Sequence, residues 1–301
     1  MVGLNFVSRL MKSGRFLANF LLLPSFLCLD AALAAVAWSL CIALDSRGGD
    51  LSLLIEGPSK FGVLFFGVWS VYLADRIRDT FATSSGPGAP LRYQFAGRNR
   101  PALTVICLVA ATLAATFLIS IQELAFWVAG SVIALLTLGY FVGLRASWNP
   151  ERKRARFPLK ETCIASCFAA GVILCSGDIA ISIPVAALFT ALSLLFLSNC
   201  LLISLVESNF DEEFDHRAFF AGRKGSAAWI AIPTVLAIGF AAGLLIRGEF
   251  RFTSFSIFGG GGLTLLIFLS RAKLPRLTQA LADGVLLFPW IAIGVGLFFG
   301  D

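Results

Sequence analysis

The chain has 301 residues, of which 58% are hydrophobic and 14% charged, with 24 Lys and Arg against 18 Asp and Glu. A soluble domain carries roughly 25% charged residues, so a mean hydropathy of +0.86 excludes a water-facing globular surface. Apolar runs of about 20 residues, the length a helix needs to cross the hydrocarbon core, recur from one end to the other. They are continuous rather than alternating, which rules against barrel strands.

Taken in chain order, these runs fall at 20–44, 60–79, 101–121, 123–144, 158–177, 180–206, 225–246, 252–270 and 277–300. Turn-forming sequences separate them, among them Ser46-Arg47-Gly48-Gly49, Gly86-Pro87-Gly88, Asn149-Pro150 and Arg247-Gly248-Glu249. The first run carries Asp30 and lacks a small-residue cleavage site, which argues against a signal peptide. The predicted fold is all-α: a polytopic membrane helix bundle of nine transmembrane helices, with residues 1–301 forming one domain.

The basic residues test that count. Lys and Arg accumulate in the cytoplasmic loops of membrane proteins. Nine spans place the N-terminus and the 2–3, 4–5, 6–7 and 8–9 loops on one side, with 20 of the 24 basic residues; Arg47, Lys60, Arg247 and Arg251 are left opposite. This predicts an integral protein of a bacterial-type cytoplasmic membrane, with the N-terminus inside and the C-terminus outside. The net charge of +6 then reflects orientation and contact with anionic membrane lipids, and nucleic acid is not an expected partner.

The seven cysteines, Cys28, Cys41, Cys107, Cys163, Cys167, Cys175 and Cys200, all fall within apolar runs and read as small buried hydrophobes. The acids are more informative. The second run ends Val71-Tyr72-Leu73-Ala74-Asp75-Arg76-Ile77-Arg78-Asp79, and the sixth runs into Glu207-Ser208-Asn209-Phe210-Asp211-Glu212-Glu213-Phe214-Asp215. Each contains Asp-x-x-x-Asp, which on a helix stacks two carboxylates one turn apart on the same face. Such like charges repel unless a cation sits between them. Two such pairs converging on one side would offer the oxygen ligands that Mg²⁺ prefers.

Nine spans with acidic motifs after the second and sixth, on the cytoplasmic side, resemble the UbiA superfamily of membrane prenyltransferases over nearly the whole chain. The family's first motif is Asn-Asp-x-x-Asp-x-x-x-Asp; Asp75 and Asp79 match its last two acids, while Val71 and Tyr72 stand where Asn and Asp would be. Asp211 and Asp215 match the second motif. Phe157-Pro158-Leu159-Lys160 is similar to the family's Tyr-Pro-x-x-Lys, one residue shorter, and Arg98-Asn99-Arg100-Pro101 is similar to its Arg-Pro segment.

The resemblance implies transfer of an isoprenyl group from an isoprenyl diphosphate to a hydrophobic acceptor, lipid or aromatic. Mg²⁺ would be held by Asp75, Asp79, Asp211 and Asp215. Lys160, with Arg98 or Arg100, would face the leaving diphosphate. Tyr72 and Glu207 flank the two motifs. Asp30, about halfway along the first run, is expected to face the bundle interior, where it would orient an acceptor hydroxyl or hydrogen-bond Asn199. Two other readings stand beside this one: a non-catalytic isoprenoid- or lipid-binding protein of the same architecture, and a transporter whose Gly259-Gly260-Gly261-Gly262 run breaks a helix.

Overall fold

The computed structural model describes residues 24–46, 48, 58–82, 91–146, 157–177, 182–208, 218–221, 228–270, 281–282 and 284–299. Among the described residues ten helices follow one another: α1 (Leu29–Ser46), α2 (Pro58–Ala82), α3 (Leu91–Arg98), α4 (Arg100–Ile119), α5 (Leu124–Ala146), α6 (Leu159–Cys175), α7 (Ile183–Val206), α8 (Ala228–Ile246), α9 (Arg251–Ser270) and α10 (Phe288–Phe299). All except the short α3 fall on the nine apolar stretches of the sequence. Five of them, α1, α4, α7, α8 and α9, are both long and apolar enough to cross a membrane. The charges of α2 crowd its last two turns, the apolar part of α5 runs Leu124–Tyr140, and α6 and α10 have 17 and 12 residues.

Helix α1 lies at the centre, packed against α2, α6, α9 and α10. Twelve of its eighteen residues are buried, and its run of alanines lets these neighbours approach closely. Trp38 is fully buried; its indole N–H donates to the Leu286 carbonyl at 3.0 Å, and its ring meets Phe196 of α7 edge-on at 5.8 Å. The outer faces of α4 and α5 stay apolar and exposed, with Leu108, Leu135 and Leu138 each more than half accessible. Such a surface suits lipid and not water.

Two apolar stretches are not single helices. Cys28 adopts a left-handed backbone, φ 56°, so α1 begins at Leu29 and Asp30 sits in its first turn, not halfway along a span. Residue 289 is proline, which supplies no backbone N–H; α10 starts beside it, and the Leu286 carbonyl left free just before it is the one that accepts from Trp38.

The four glycines of α9 do not break that helix, which is continuous through them. Gly259, Gly260 and Gly261 form a packing notch instead, while Gly262 faces open space. A Cβ at Gly261 would come within 2.9 Å of Ile238 of α8, and one at Gly260 would touch Val285 and Leu195.

The start of α9 is capped across the fold. Asp45, at the end of α1, accepts from the backbone N–H of Phe252 and of Thr253, each at 2.8 Å, and from the Thr253 hydroxyl at 2.7 Å. Replacing a capping carboxylate by alanine removes roughly 1–2 kcal/mol. Asp45→Ala is therefore expected to lower the thermal unfolding midpoint in detergent, while Asp45→Asn, which keeps an acceptor, loses less; differential scanning fluorimetry of the two variants checks the order.

Candidate functional site

At one end of the bundle, three helices each turn one face toward a cavity of about 190 Å³. The spacing on each is helical. On α2 the lining residues are Tyr72, Asp75, Arg76 and Asp79; on α6 they run from Lys160 and Glu161 to Phe168; on α7 from Phe196 through Asn199 to Glu207, the residue capping its end. At 1.5 Å per residue, the seven or eight residues of α2 and α6 and the eleven of α7 make a well about 10–16 Å deep, with charges at the rim and aromatic rings toward the floor. The first turn of α1 brings Asp30 to the wall, and α3 brings Arg92 and Tyr93.

Backbone direction makes the acids costly. Asp79 lies in the last turn of α2 and Glu207 at the C-terminus of α7, where the helix dipole is negative and repels carboxylates. Lys160 lies in the first turn of α6, a positive end. Cations answer the acids. The Arg78 guanidinium is 2.5 Å from Asp75 and 3.0 Å from Asp79, while Lys160 and Arg76 also act electrostatically on Asp79. Arg92 is ion-paired to Glu207, both largely buried.

Tyr93 lies under two guanidiniums, with Arg76 at 4.7 Å and Arg92 at 5.2 Å from its ring centre. Burial pushes its phenol up to about 12, with Glu207 and Asp79 adding to the rise and Arg92 and Arg76 opposing it, so it remains neutral at physiological pH. The phenol therefore adds no negative charge between the arginines.

Glu161 has a structural task. Its Oε1 accepts from the Phe219 backbone N–H at 2.8 Å, and the Ser204 hydroxyl accepts from Phe220 N–H at 3.3 Å. These bonds tie the buried segment 218–221 to the rim.

Of the sequence-predicted site residues, the cavity gathers Asp30, Tyr72, Asp75, Asp79, Lys160 and Glu207. Arg98 and Arg100 are exposed and do not line it; Arg100 stacks on Phe81 at 4.0 Å. Their expected place is taken by Arg92 and Arg76, which the reading of the Arg-Pro segment missed. The usable signal was Arg92-Tyr93 followed by Phe95-Ala96, an amphipathic turn that docks on the bundle, with Phe95 stacked on Phe26 at 5.3 Å. Asp30 accepts from its neighbour Ala31 N–H at 2.9 Å, and no hydrogen bond joins it to Asn199. Asp211 and Asp215 lie outside the described residues, between Glu207 and Ala218, which both line the cavity.

The chemistry of the donors fits Mg²⁺ in one way only. Asp75 Oδ1 is shielded and has no hydrogen-bond donor among the described residues, since its contact with Arg78 lacks hydrogen-bond geometry. Mg²⁺ typically takes one or two carboxylates and completes its shell with phosphate and water, which Asp75 and Asp79 can supply. Among the described residues no group of three or more His, Cys, Asp or Glu side chains could hold a metal by themselves. The ion fits as the companion of a phosphorylated ligand.

No family description, characterised protein or solved structure matches the chain. The cavity is thus the basis for a functional reading.

A buried ion pair broken on one side leaves an uncompensated charge, at roughly 3–5 kcal/mol, whereas replacing both partners is often nearly neutral. Arg92→Met alone is expected to destabilise strongly, and Arg92→Met with Glu207→Leu to recover most of the loss. A chemical-denaturation double-mutant cycle in detergent reads the difference directly.

Proposed function

We propose that the chain is a nine-span integral membrane prenyltransferase, similar to the UbiA superfamily, that takes an isoprenyl diphosphate and a hydrophobic acceptor. The observation that carries this reading is the joining, in one cavity, of an acid pair, three cations and an aromatic floor. Asp75 and Asp79, with Asp211 and Asp215, are the residues to hold Mg²⁺, which supplies neutralising charge to a bound diphosphate. Lys160, Arg76 and Arg92 face the oxygens of that group. As the bond between the prenyl C1 and its oxygen breaks, the electron pair leaves with the diphosphate, and these fixed cations stabilise it without proton transfer.

The allylic cation left behind needs electron-rich neighbours and no water. Tyr72 meets Phe168 edge-on at 6.5 Å, and Phe168 meets Phe196 at 4.8 Å. All three line the cavity, and ring faces attract cations most strongly where water is excluded. Below them the apolar bundle can house the prenyl chain.

Arg78, placed between Asp75 and Asp79, favours a second reading. It already serves as counter-ion to the pair, which suits a non-catalytic site that holds an isoprenoid or lipid phosphate without metal.

Purified protein given farnesyl diphosphate and Mg²⁺ separates the two. Catalysis predicts diphosphate release that chelation stops. Asp75→Asn and Asp79→Asn should each slow it on the order of a hundredfold, at normal expression, since each removes one member of a repelling pair. Donor binding without release, unchanged in either variant, would select the second reading.

The orientation is tested separately. A cysteine at Ser85 or Ser226, both outside the described residues, is expected to resist an impermeant thiol reagent in intact cells and to react in inverted vesicles. Labelling from outside would reverse the topology.

A further inference from the structure

Asn199 is 4% exposed, and its Oδ1 has no hydrogen-bond partner among the described residues. Among the other polar side chains of α7, Thr190 and Ser198 donate to the carbonyls four residues back at 2.8 Å each and Ser204 accepts from Phe220 N–H, while the buried Ser193 hydroxyl, which does not line the cavity, shares the lack of a partner among the described residues. An amide buried in an apolar helix loses its water and recovers nothing unless something else bonds it. Asp30, the acid expected to pair with it, accepts from Ala31 N–H, and an ionised carboxylate has no donor to offer an amide oxygen.

The position of Asn199 on the cavity wall says what that something is. It lies eight residues before Glu207, about 12 Å below the charged rim, and one turn from Phe196 on the aromatic floor. A group bonded there is beyond the cations and carboxylates of the rim and is surrounded by Ile164, Phe168 and Phe196. An ion would face a desolvation penalty among these apolar side chains, and a cation would find only the single carboxylate of Asp30 on the wall. A carboxamide offers one acceptor and one donor side by side, which a hydroxyl matches with its own donor and lone pairs.

We propose that Asn199 is the binding residue for the hydroxyl of an uncharged amphiphile, an alcohol or phenol whose apolar body rests on Phe168 and Phe196. Resting on the prenyltransferase reading, this names the acceptor class: a hydroxylated lipid or aromatic that enters the well below the diphosphate.

The test uses purified full-length protein, 4-hexylphenol, and 4-hexylanisole as the analogue that lacks the hydroxyl proton. Binding is followed by calorimetry with empty micelles subtracted. The wild type is expected to prefer the phenol about tenfold, the worth of one buried hydrogen bond. Asn199→Leu, close to isosteric, should bind the two probes equally and melt no lower than wild type, because it removes an unsatisfied group. Farnesyl thiodiphosphate with Mg²⁺ should bind the variant within about twofold of wild type. Equal affinity of the wild type for both probes, or a lowered melting temperature of Asn199→Leu, overturns the inference. Phenol preference without thiodiphosphate binding leaves the hydroxyl site standing and removes the donor reading; thiodiphosphate binding without phenol preference does the reverse.

Discussion

Charge in an apolar bundle has to be collected and compensated, and the whole arrangement at the cavity end follows from that requirement. Carboxylates at the negative ends of α2 and α7 are opposed by their own helix dipoles, so each is met by a cation, from the same helix at α2 and from a neighbouring one at α7. Arg78 meets Asp75 and Asp79, and Arg92 reaches from α3 to Glu207. The second of these contacts also explains why α3 exists at all. An eight-residue helix is too short to be stable alone, and it is held by the Arg92 ion pair and, three residues on along the same face, by Phe95 against Phe26.

Helix positions were largely legible because hydropathy is set by composition over a whole turn or more. Nine apolar stretches became helices, and five of those meet the length and hydropathy needed to cross a membrane. Local backbone events were not legible in the same way. Nothing in the composition of Leu27-Cys28-Leu29 announces the left-handed residue that starts α1, and missing it misplaced Asp30 by half a span. The Gly259–Gly262 run carried the opposite error. Glycine permits a break, yet here it permits close helix contact, because Ile238 and Phe288 occupy the space its side chains would need.

Site residues divided along the same line. Asp75, Asp79, Lys160 and Glu207 were readable because each sits at a helix end in a periodic pattern, and periodicity maps onto one face. Arg92 and Arg76 were not, because loop and helix-end arginines look alike to a count of topology-setting charges. Only the fold distinguishes Arg76, packed over Tyr93 within the cavity, from Arg98, which stays in solvent.

On the prenyltransferase proposal, Tyr72 stands where the resembling family has an acid, which bears on the balance of the well as well as on its ligand count. In the resembling family that turn of the helix is acidic; here it is aromatic and continues through Phe168 to Phe196. One fewer carboxylate weakens the hold on a bare cation, and the two that remain already share Arg78. A divalent ion entering alone would have to displace that guanidinium from two partners. An ion entering with a diphosphate brings its own negative charge, which gives Arg78 an alternative partner at the rim and leaves Asp75 and Asp79 to the metal. On the proposed reading, the aromatic residue at 72 and the arginine at 78 point the same way: the ligand's phosphates would complete the site, and the Tyr72 ring would extend the part of the well open to an uncharged chain.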